Sequence, residues 1–114
     1  MKAYTDLEQS KKLAEILPLG SADMYYDVDS YGVQTTPEVL ITSVVRKKDI
    51  PCWSLAALLG VLPRIDIEKE ICSDDTFDYR VKAYIGDGYI GDWFDNPLDA
   101  CVDMIFKLDE QKLL

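Results

Sequence analysis

The sequence predicts an α+β fold in which helices pack on a largely antiparallel sheet. Residues 77–85 alternate apolar and polar side chains, which is the period of a half-buried strand. Gly86-Asp87-Gly88 then predicts a tight turn into a second strand at Tyr89–Phe94. A capped amphipathic helix follows this hairpin at once. Because hairpins make antiparallel neighbours and no βαβ unit repeats, we expect about four to five antiparallel strands with three helices packed on them.

The last helix is the segment around which the predicted fold is organised. Asn96 is suited to accept hydrogen bonds from the first-turn amides, Pro97 fits the first helical position, and Asp99 lies near the positive end of the helix dipole. The apolar side chains then recur every three or four residues, namely Leu98, Cys101, Val102, Ile105 and Leu108. This pattern predicts a helix that buries one side, including Ile105, against the sheet.

The predicted elements before the hairpin fit one domain, residues 1–114. The spacing of Thr5 and Glu8 is that of a capping box and predicts a first helix over about residues 5–17. Alternation predicts a strand over 22–28, and β-branched residues predict a more central strand over 39–45. The polar residues between these strands, 29–37, predict an exposed loop.

A second helix and a third strand complete the predicted order α-β-β-α-β-β-β-α. Pro51-Cys52-Trp53-Ser54 is expected to open a short helix, Leu55–Leu62, whose apolar character nearly all round predicts burial. Ile65, Ile67, Lys69 and Ile71 alternate with Asp66, Glu68, Glu70 and Cys72, so we expect a strand with one charged face at an edge of the sheet.

Composition excludes several classes of function. Twelve basic and 21 acidic residues give a formal charge of −9, which repels phosphates and anionic membranes, so we expect no direct nucleic-acid binding. No apolar run approaches the roughly 20 residues of a membrane helix and the N-terminus is polar, so we expect a cytoplasmic protein. There is no histidine, and Cys52, Cys72 and Cys101 lack C-x-x-C spacing. Neither a cofactor nor a metal is predicted.

One loop has the outline of a calcium site. Asp27, Asp29, Tyr31, Gly32 and Glu38 occupy positions 1, 3, 5, 6 and 12 of a calcium-loop template. The tyrosine is a poor ligand, however, and the flanking segments have the period of strands instead of helices. The favoured interpretation is a solvated acidic hairpin loop.

Residues of the types used in catalysis occur without the groups that would activate them. Asp74-Asp75 and the pair Asp92 and Asp95 could divide acid and base roles only if a cleft held them together. Ser54 has no histidine to activate it and lacks the glycines of a nucleophile elbow, so helix capping is its expected role. We therefore predict no catalytic residues.

Five aromatic residues are the candidate binding residues: Tyr25, Trp53, Tyr84, Tyr89 and Trp93. Exposed aromatic side chains are common anchors of protein interfaces, whereas most tryptophans are largely buried. We expect one of the two tryptophans in the core. The contact surface is expected either on the acidic strand that holds Tyr25 or on the Tyr84 and Tyr89 hairpin.

Three segments carry a resemblance to a known group of proteins. Residues 4–8, 51–59 and 93–105 resemble those of small uncharacterised bacterial proteins associated with phages and other mobile elements. More distantly, the capped helix, the hairpin and the Pro-led Ala-Cys helix are similar to phage domains described as an alpha-beta-alpha sandwich. The resemblance implies helices on a sheet and an origin in mobile DNA, and it implies no activity.

These observations lead to three functional hypotheses. The first is a small acidic, non-enzymatic accessory domain that binds a protein partner or a second copy of itself. The second is a DNA mimic that inhibits a nucleic-acid enzyme, which requires acidic residues in rows about 7 Å apart. The third is a small carboxylate-based hydrolase or a calcium-binding protein, which requires several carboxylates that converge in a pocket.

Overall fold

The computed structural model describes residues 2–29, 32–33, 36–39 and 49–114, and the elements below are those of these residues. The helices are α1 (Leu7–Ala14), α2 (Leu55–Val61) and α3 (Pro97–Glu110), with a 3₁₀ turn at Leu19–Ser21. The strands are β1 (Met24–Tyr26), β2 (Val28–Asp29), β3 (Gly32–Val33), β4 (Glu38–Val39), β5 (Ile50–Cys52), β6 (Ile65–Ile71), β7 (Phe77–Ile85), β8 (Gly88–Ile90) and β9 (Trp93–Phe94).

The largest sheet is built around β7 and is antiparallel throughout. Strand β6 pairs with β7 from Ile65 opposite Ala83 to Ile71 opposite Phe77, and β8 and β9 pair with the other side of β7. The positive φ of 61° at Gly86 lets a two-residue turn join β7 to β8. The prediction of an α+β fold with a largely antiparallel sheet is confirmed, and β6 is the edge strand that its alternation predicted.

Smaller sheets hold the N-terminal half. Strand β1 lies between β4 and β5, and β2 pairs with β3 to form a short hairpin. The predicted strand over 22–28 is therefore divided into β1 and β2, and part of the predicted loop is the strand β3. Strand β5 is absent from the prediction because it contains Pro51, which is tolerated there because β5 lies at a sheet edge. Most of the predicted strand over 39–45 lies outside the described residues.

The first helix begins one residue later than the predicted capping box implies. Asp6 is the N-cap: its side chain accepts a 2.8 Å hydrogen bond from the Gln9 amide, and the Gln9 side chain accepts one from the Asp6 amide. The predicted pair of Thr5 and Glu8 is wrong. Thr5 is instead buried, where its hydroxyl bonds to Ser10 at 2.7 Å and accepts from the Trp53 amide at 3.1 Å.

The third helix lies on the large sheet with its apolar side buried. Asn96 caps it and accepts a 2.8 Å hydrogen bond from the Asp99 amide, and Pro97 occupies the first turn, as predicted. The helix packs on β7 and β9. Its fully or nearly fully buried residues are Leu98, Ala100, Cys101, Val102, Met104, Ile105 and Leu108. The core therefore lies between the helices and one side of the large sheet. It includes Val81 and Ala83 of β7, the buried side of α3, Leu13 of α1 and Leu58 of α2.

The second helix confirms the role expected for Ser54. Its hydroxyl accepts a 3.2 Å hydrogen bond from the Ala57 amide, and Asp23 accepts hydrogen bonds from both the Ser54 amide and the Ser54 hydroxyl. Burial is less complete than predicted, because Ala56 and Gly60 are exposed. Among the described residues, none of the helices combines the length and hydropathy needed to cross a bilayer.

Candidate interaction surface

The side of the large sheet that faces away from α3 carries aromatic and basic residues. Val81 and Ala83 of β7 point into the core, so the residues that alternate with them point the opposite way. We define the outer face by these residues and by their cross-strand neighbours on β8 and β9, namely Arg80, Lys82, Tyr84, Tyr89 and Trp93. Three of the five predicted binding residues thus lie on one surface.

The two basic side chains of the outer face lie against its aromatic rings. The Arg80 guanidinium carbon is 4.6 Å from the centre of the Trp93 ring and 5.1 Å from that of Tyr89. Lys82 Nζ is 4.4 Å from the centre of the Tyr89 ring. Tyr84 meets Tyr89 edge to face, with 6.3 Å between ring centres. Such contacts favour one arrangement of the rings, because each ring touches a cation or another ring.

One carboxylate of β6 holds both cations in place. Glu68 accepts a 2.8 Å hydrogen bond from Arg80 Nη2 and also bonds to Lys82. The hydrogen bond from Lys82, followed by that from Arg80, lowers the pKa of Glu68, and Glu68 in turn raises the pKa of each cation. All three groups are therefore charged at neutral pH. The chain of contacts runs from Glu68 through the cations to the rings.

The rings of the outer face are accessible to a partner. Tyr84 is 56% exposed and Tyr89 is 49% exposed, while Trp93 is half-buried. The Tyr84 hydroxyl donates a 2.7 Å hydrogen bond to Asp66 on β6. Arg64, Asp66 and Tyr84 also line a concavity of about 330 Å³ at the margin of this face. The surface therefore combines ordered apolar rings with polar atoms at their edge.

The other two aromatic candidates lie elsewhere. Tyr25 is on β1, in a different sheet, where its hydroxyl donates a 2.7 Å hydrogen bond to Glu38 on the paired strand β4. Trp53 must be removed from the candidate binding residues, because it is fully buried and its indole nitrogen donates to the Ser21 hydroxyl at 3.0 Å. It is the tryptophan that belongs to the core.

The residues of the calcium-loop template do not form a described metal site. Glu38 lies on β4 and is bonded to Tyr25, while Tyr31 lies outside the described residues. Asp27 lies between β1 and β2, and Asp29 is the last residue of β2. In the part of the chain that the structure describes, no three histidine, cysteine, aspartate or glutamate residues are grouped so as to hold a metal ion.

A groove between α1 and α3 has several carboxylates in its lining, but these described residues do not form a metal-binding group. It encloses about 320 Å³, and Asp6, Asp99 and Asp103 are among the residues that line it. Burial alone would raise the pKa of Asp99, but hydrogen bonds from Asn96, Gln9 and Lys2 outweigh burial and lower it. The pKa of Asp6 is lowered in the same way, by the Gln9 amide and Lys2. Neither carboxyl is suited to donate a proton at neutral pH.

The other paired carboxylates have local partners. Asp74 accepts a 2.6 Å hydrogen bond from the Thr76 hydroxyl within the turn between β6 and β7, beside Asp75. Asp92 forms an ion pair with Lys107, and Asp95 accepts a 2.9 Å hydrogen bond from Asn96. The Asp74 contact stabilises the turn between β6 and β7, the Asp92 ion pair connects α3 to the segment before β9, and the Asp95 contact supports the N-cap of α3.

The residues that sequence reasoning left out of the site are Arg80, Lys82 and Glu68. The sequence does contain a signal for the two cations, because Arg80, Lys82 and Tyr84 occupy alternate positions of the most clearly alternating strand and therefore point to the same side. Comparison with protein-family models, with curated proteins and with solved structures finds no match to this chain.

Proposed function

We propose that this protein is a small, non-enzymatic binding domain that holds a protein partner against its outer face. The observation that carries the proposal is the set of accessible rings of Tyr84, Tyr89 and Trp93, stacked on Arg80 and Lys82. Tyrosine, tryptophan and arginine are the residue types most enriched at the energetic centres of protein interfaces. A protein partner is therefore the class of ligand that this surface fits best.

The order of the outer face supports binding. An interface loses free energy when flexible side chains must be immobilised, by about 0.5–1.5 kcal/mol for each rotamer-rich side chain. Here Arg80 and Lys82 are already held by Glu68, and their side chains are only 17% and 15% exposed. A partner that covers the rings therefore immobilises little that is not already fixed.

The charges of the outer face favour a partner that presents apolar and neutral polar groups. Glu68 neutralises one of the two cations, and the remaining positive charge lies beneath aromatic rings. Phosphate recognition would require cations that reach the surface. The absence of direct nucleic-acid binding and a cytoplasmic location remain parts of this proposal.

The DNA-mimic hypothesis has one observation in its favour and one against it. Asp66, Glu68 and Glu70 point to the same side of β6 at alternate positions, so their spacing is about 7 Å, close to that of phosphates. The middle carboxylate, however, is bound by two cations. The row is thereby interrupted, which is why we rank a mimic second. An origin in a phage or mobile element rests on the sequence resemblance alone.

Capture experiments with matched variants test the proposal. The purified protein is used as bait in an extract of its host, beside the double variant Tyr84→Ser, Tyr89→Ser and the control Tyr25→Ser. We expect a partner retained by the wild type and by the Tyr25 control but lost from the double variant. A partner lost only from the control would transfer the site to β1. If no protein is retained by the wild type, the proposed function is wrong.

A further inference from the structure

Strand β6 is an edge whose inner side, with two isoleucines and one lysine, is left uncovered by the rest of the described fold. Residues directly opposite each other in a sheet point to the same side, so Ile67, Lys69 and Ile71 share the inner side with Val81, Tyr79 and Phe77. Lys69 Nζ lies 3.9 Å from the centre of the Phe77 ring. Yet Val81 is 1% exposed, whereas Ile67 across from it is 50% exposed and Ile71 is 71% exposed. The cover provided by α3 therefore ends at β7.

The backbone of β6 is also available on one side. Within the described residues β6 pairs only with β7, and the paired stretch covers all seven of its residues without a bulge. Alternate residues of such an edge direct their N–H and C=O groups away from the sheet, where an extended segment could bond to them. A strand added there would also place its own inward side chains beside Ile67 and Ile71.

The charges of β6 define which strand it accepts. Asp66, Glu68 and Glu70 line its outer side, and Glu70 lies directly opposite another acid, Asp78, on β7. When two copies of β6 pair antiparallel about a two-fold axis, outer residues face outer residues, so acid would meet acid. Like charges placed opposite each other in a sheet are destabilising. A second copy is therefore disfavoured, and a strand with basic residues on that side is favoured.

We infer that β6 binds an extended segment of another protein in which basic residues alternate with apolar ones, as an added antiparallel strand. The apolar residues would contact Ile67 and Ile71, and the basic residues would lie beside Glu70 and Asp66. This site lies along the free edge of β6 and meets the outer face at Asp66, which accepts a hydrogen bond from Tyr84. The variants below are therefore made at Glu70, which lies at the other end of β6, so that the edge and the rings are tested separately.

The probe is a blocked seven-residue peptide in which lysine alternates with valine, titrated into the ¹⁵N-labelled full chain. The comparison peptide has the same composition with its lysines and valines in separate blocks. We expect the amide chemical-shift changes to be concentrated on β6. The alternating peptide should bind at least tenfold more tightly than the comparison peptide, in which lysines and valines are in separate blocks. In the unbound protein, alternate amides of β6 should exchange rapidly with solvent.

Matched charge variants separate strand addition from general attraction to an acidic protein. Glu70→Lys should weaken binding of the alternating peptide at least tenfold, and Glu70→Gln should weaken it less. Asp87→Lys, the same change at the exposed turn between β7 and β8, should change it less than twofold.

Any one of five results would overturn strand addition at β6, and a sixth would replace its occupant. The five are equal losses in Glu70→Lys and Asp87→Lys, equal binding of both peptides, no binding at millimolar peptide, shifts centred on the outer-face rings, and slow exchange along all of β6 in the unbound protein. Concentration-dependent dimerisation through β6 would identify a second copy as the occupant instead.

Discussion

The backbone carbonyl oxygen of Val81 occupies the place where a side chain on Gly91 would begin. A β-carbon built on Gly91 would lie 2.2 Å from this oxygen, and Gly91 has a φ of 147°, which residues with side chains rarely adopt. Gly91 lies between β8 and β9, which both pair with β7. The chain thus keeps two pairings with one strand by passing close to it at a residue without a side chain.

Gly91→Ala should therefore destabilise the fold. Both the contact with backbone and the strained φ oppose the substitution, so we expect a loss of at least about 2 kcal/mol in the free energy of unfolding and a fall in Tm on the order of 10 °C. Thermal unfolding followed by circular dichroism measures it. Gly88→Ala is the matched control, because Gly88 has open space around it. Equal stability of the two variants would contradict this reading of the hairpin.

Ile105→Asp should be more damaging still. Ile105 is fully buried between α3 and the sheet, so an aspartate there would be an unpaired charge in the core, at a cost of about 3–5 kcal/mol. Urea unfolding measures the loss. Leu113→Asp, at a site that is 48% exposed, should change stability by about 0.5 kcal/mol. An unchanged Tm in Ile105→Asp would show that α3 presents another side to the sheet.

Stability should fall at acidic pH through Asp99. The pKa of Asp99 is lowered in the folded chain, so its contribution is present above the unfolded pKa, about 3.9, and is lost as the pH falls through the folded value. Asp99→Asn removes the charge that pairs with Lys2 and the oxygen that accepts from the Asn96 side chain, so it should cost about 1–2 kcal/mol at pH 7.

Urea unfolding at pH 7 and at pH 3 measures this dependence. The difference between the wild type and Asp99→Asn should be smaller at pH 3, because this pH lies below the unfolded pKa, so the unfolded wild-type chain binds a proton that the folded carboxyl binds less readily. Asp109→Asn, an exposed change on the same helix, should leave the profile unaltered. If the difference in free energy of unfolding between the wild type and Asp99→Asn were the same at both pH values, the effect of the substitution would come from packing and not from charge.

The three cysteines should differ in reactivity. Burial raises the pKa of the Cys101 thiol to about 11 and also raises the pKa of Cys52. A hydrogen bond to Asp78 raises the pKa of Cys72 too, but Cys72, directly after β6, is only partly covered whereas the other two thiols are buried. Because the thiolate is the reactive form, iodoacetamide should label only Cys72 in the native protein, and faster as pH rises. Mass spectrometry counts the labels, and denaturant should expose all three. Labelling of native Cys101 as fast as Cys72 would contradict the packing of α3.

Local signals predicted the elements whose residues supply their own start and period. Asn96 and Pro97 define the beginning of α3 through short-range hydrogen bonding and a fixed φ, and the alternation of β7 predicted its strand because Val81 and Ala83 pack inward while the residues between them do not. The N-cap of α1 was predicted at the wrong residue because Thr5 and Asp6 are both common N-cap residue types, and the local sequence does not distinguish them. Only the contact of Thr5 with Trp53, 48 positions away, decides between them.

The candidate surface was predicted in part, for a related reason. Tyr84, Tyr89 and Trp93 are recognisable as candidates by residue type alone. The stacking of Arg80 on Trp93 depends on the register between β7 and β9, which places these two residues opposite each other. This register is set by the path of the chain through Gly91, between β8 and β9. The uncovered side of β6 depends on where α3 ends over the sheet, which alternation does not encode.

The two tryptophans differ in surroundings enough to act as separate optical reporters. Trp53 has no contact with solvent, whereas Trp93 is half-buried beside the Arg80 guanidinium. The fluorescence of Trp93 should therefore change when a partner covers the outer face, whereas the fluorescence of Trp53 should change when the core unfolds. With Trp93→Phe as a reference, one fluorescence spectrum can distinguish occupancy of the surface from unfolding of the chain.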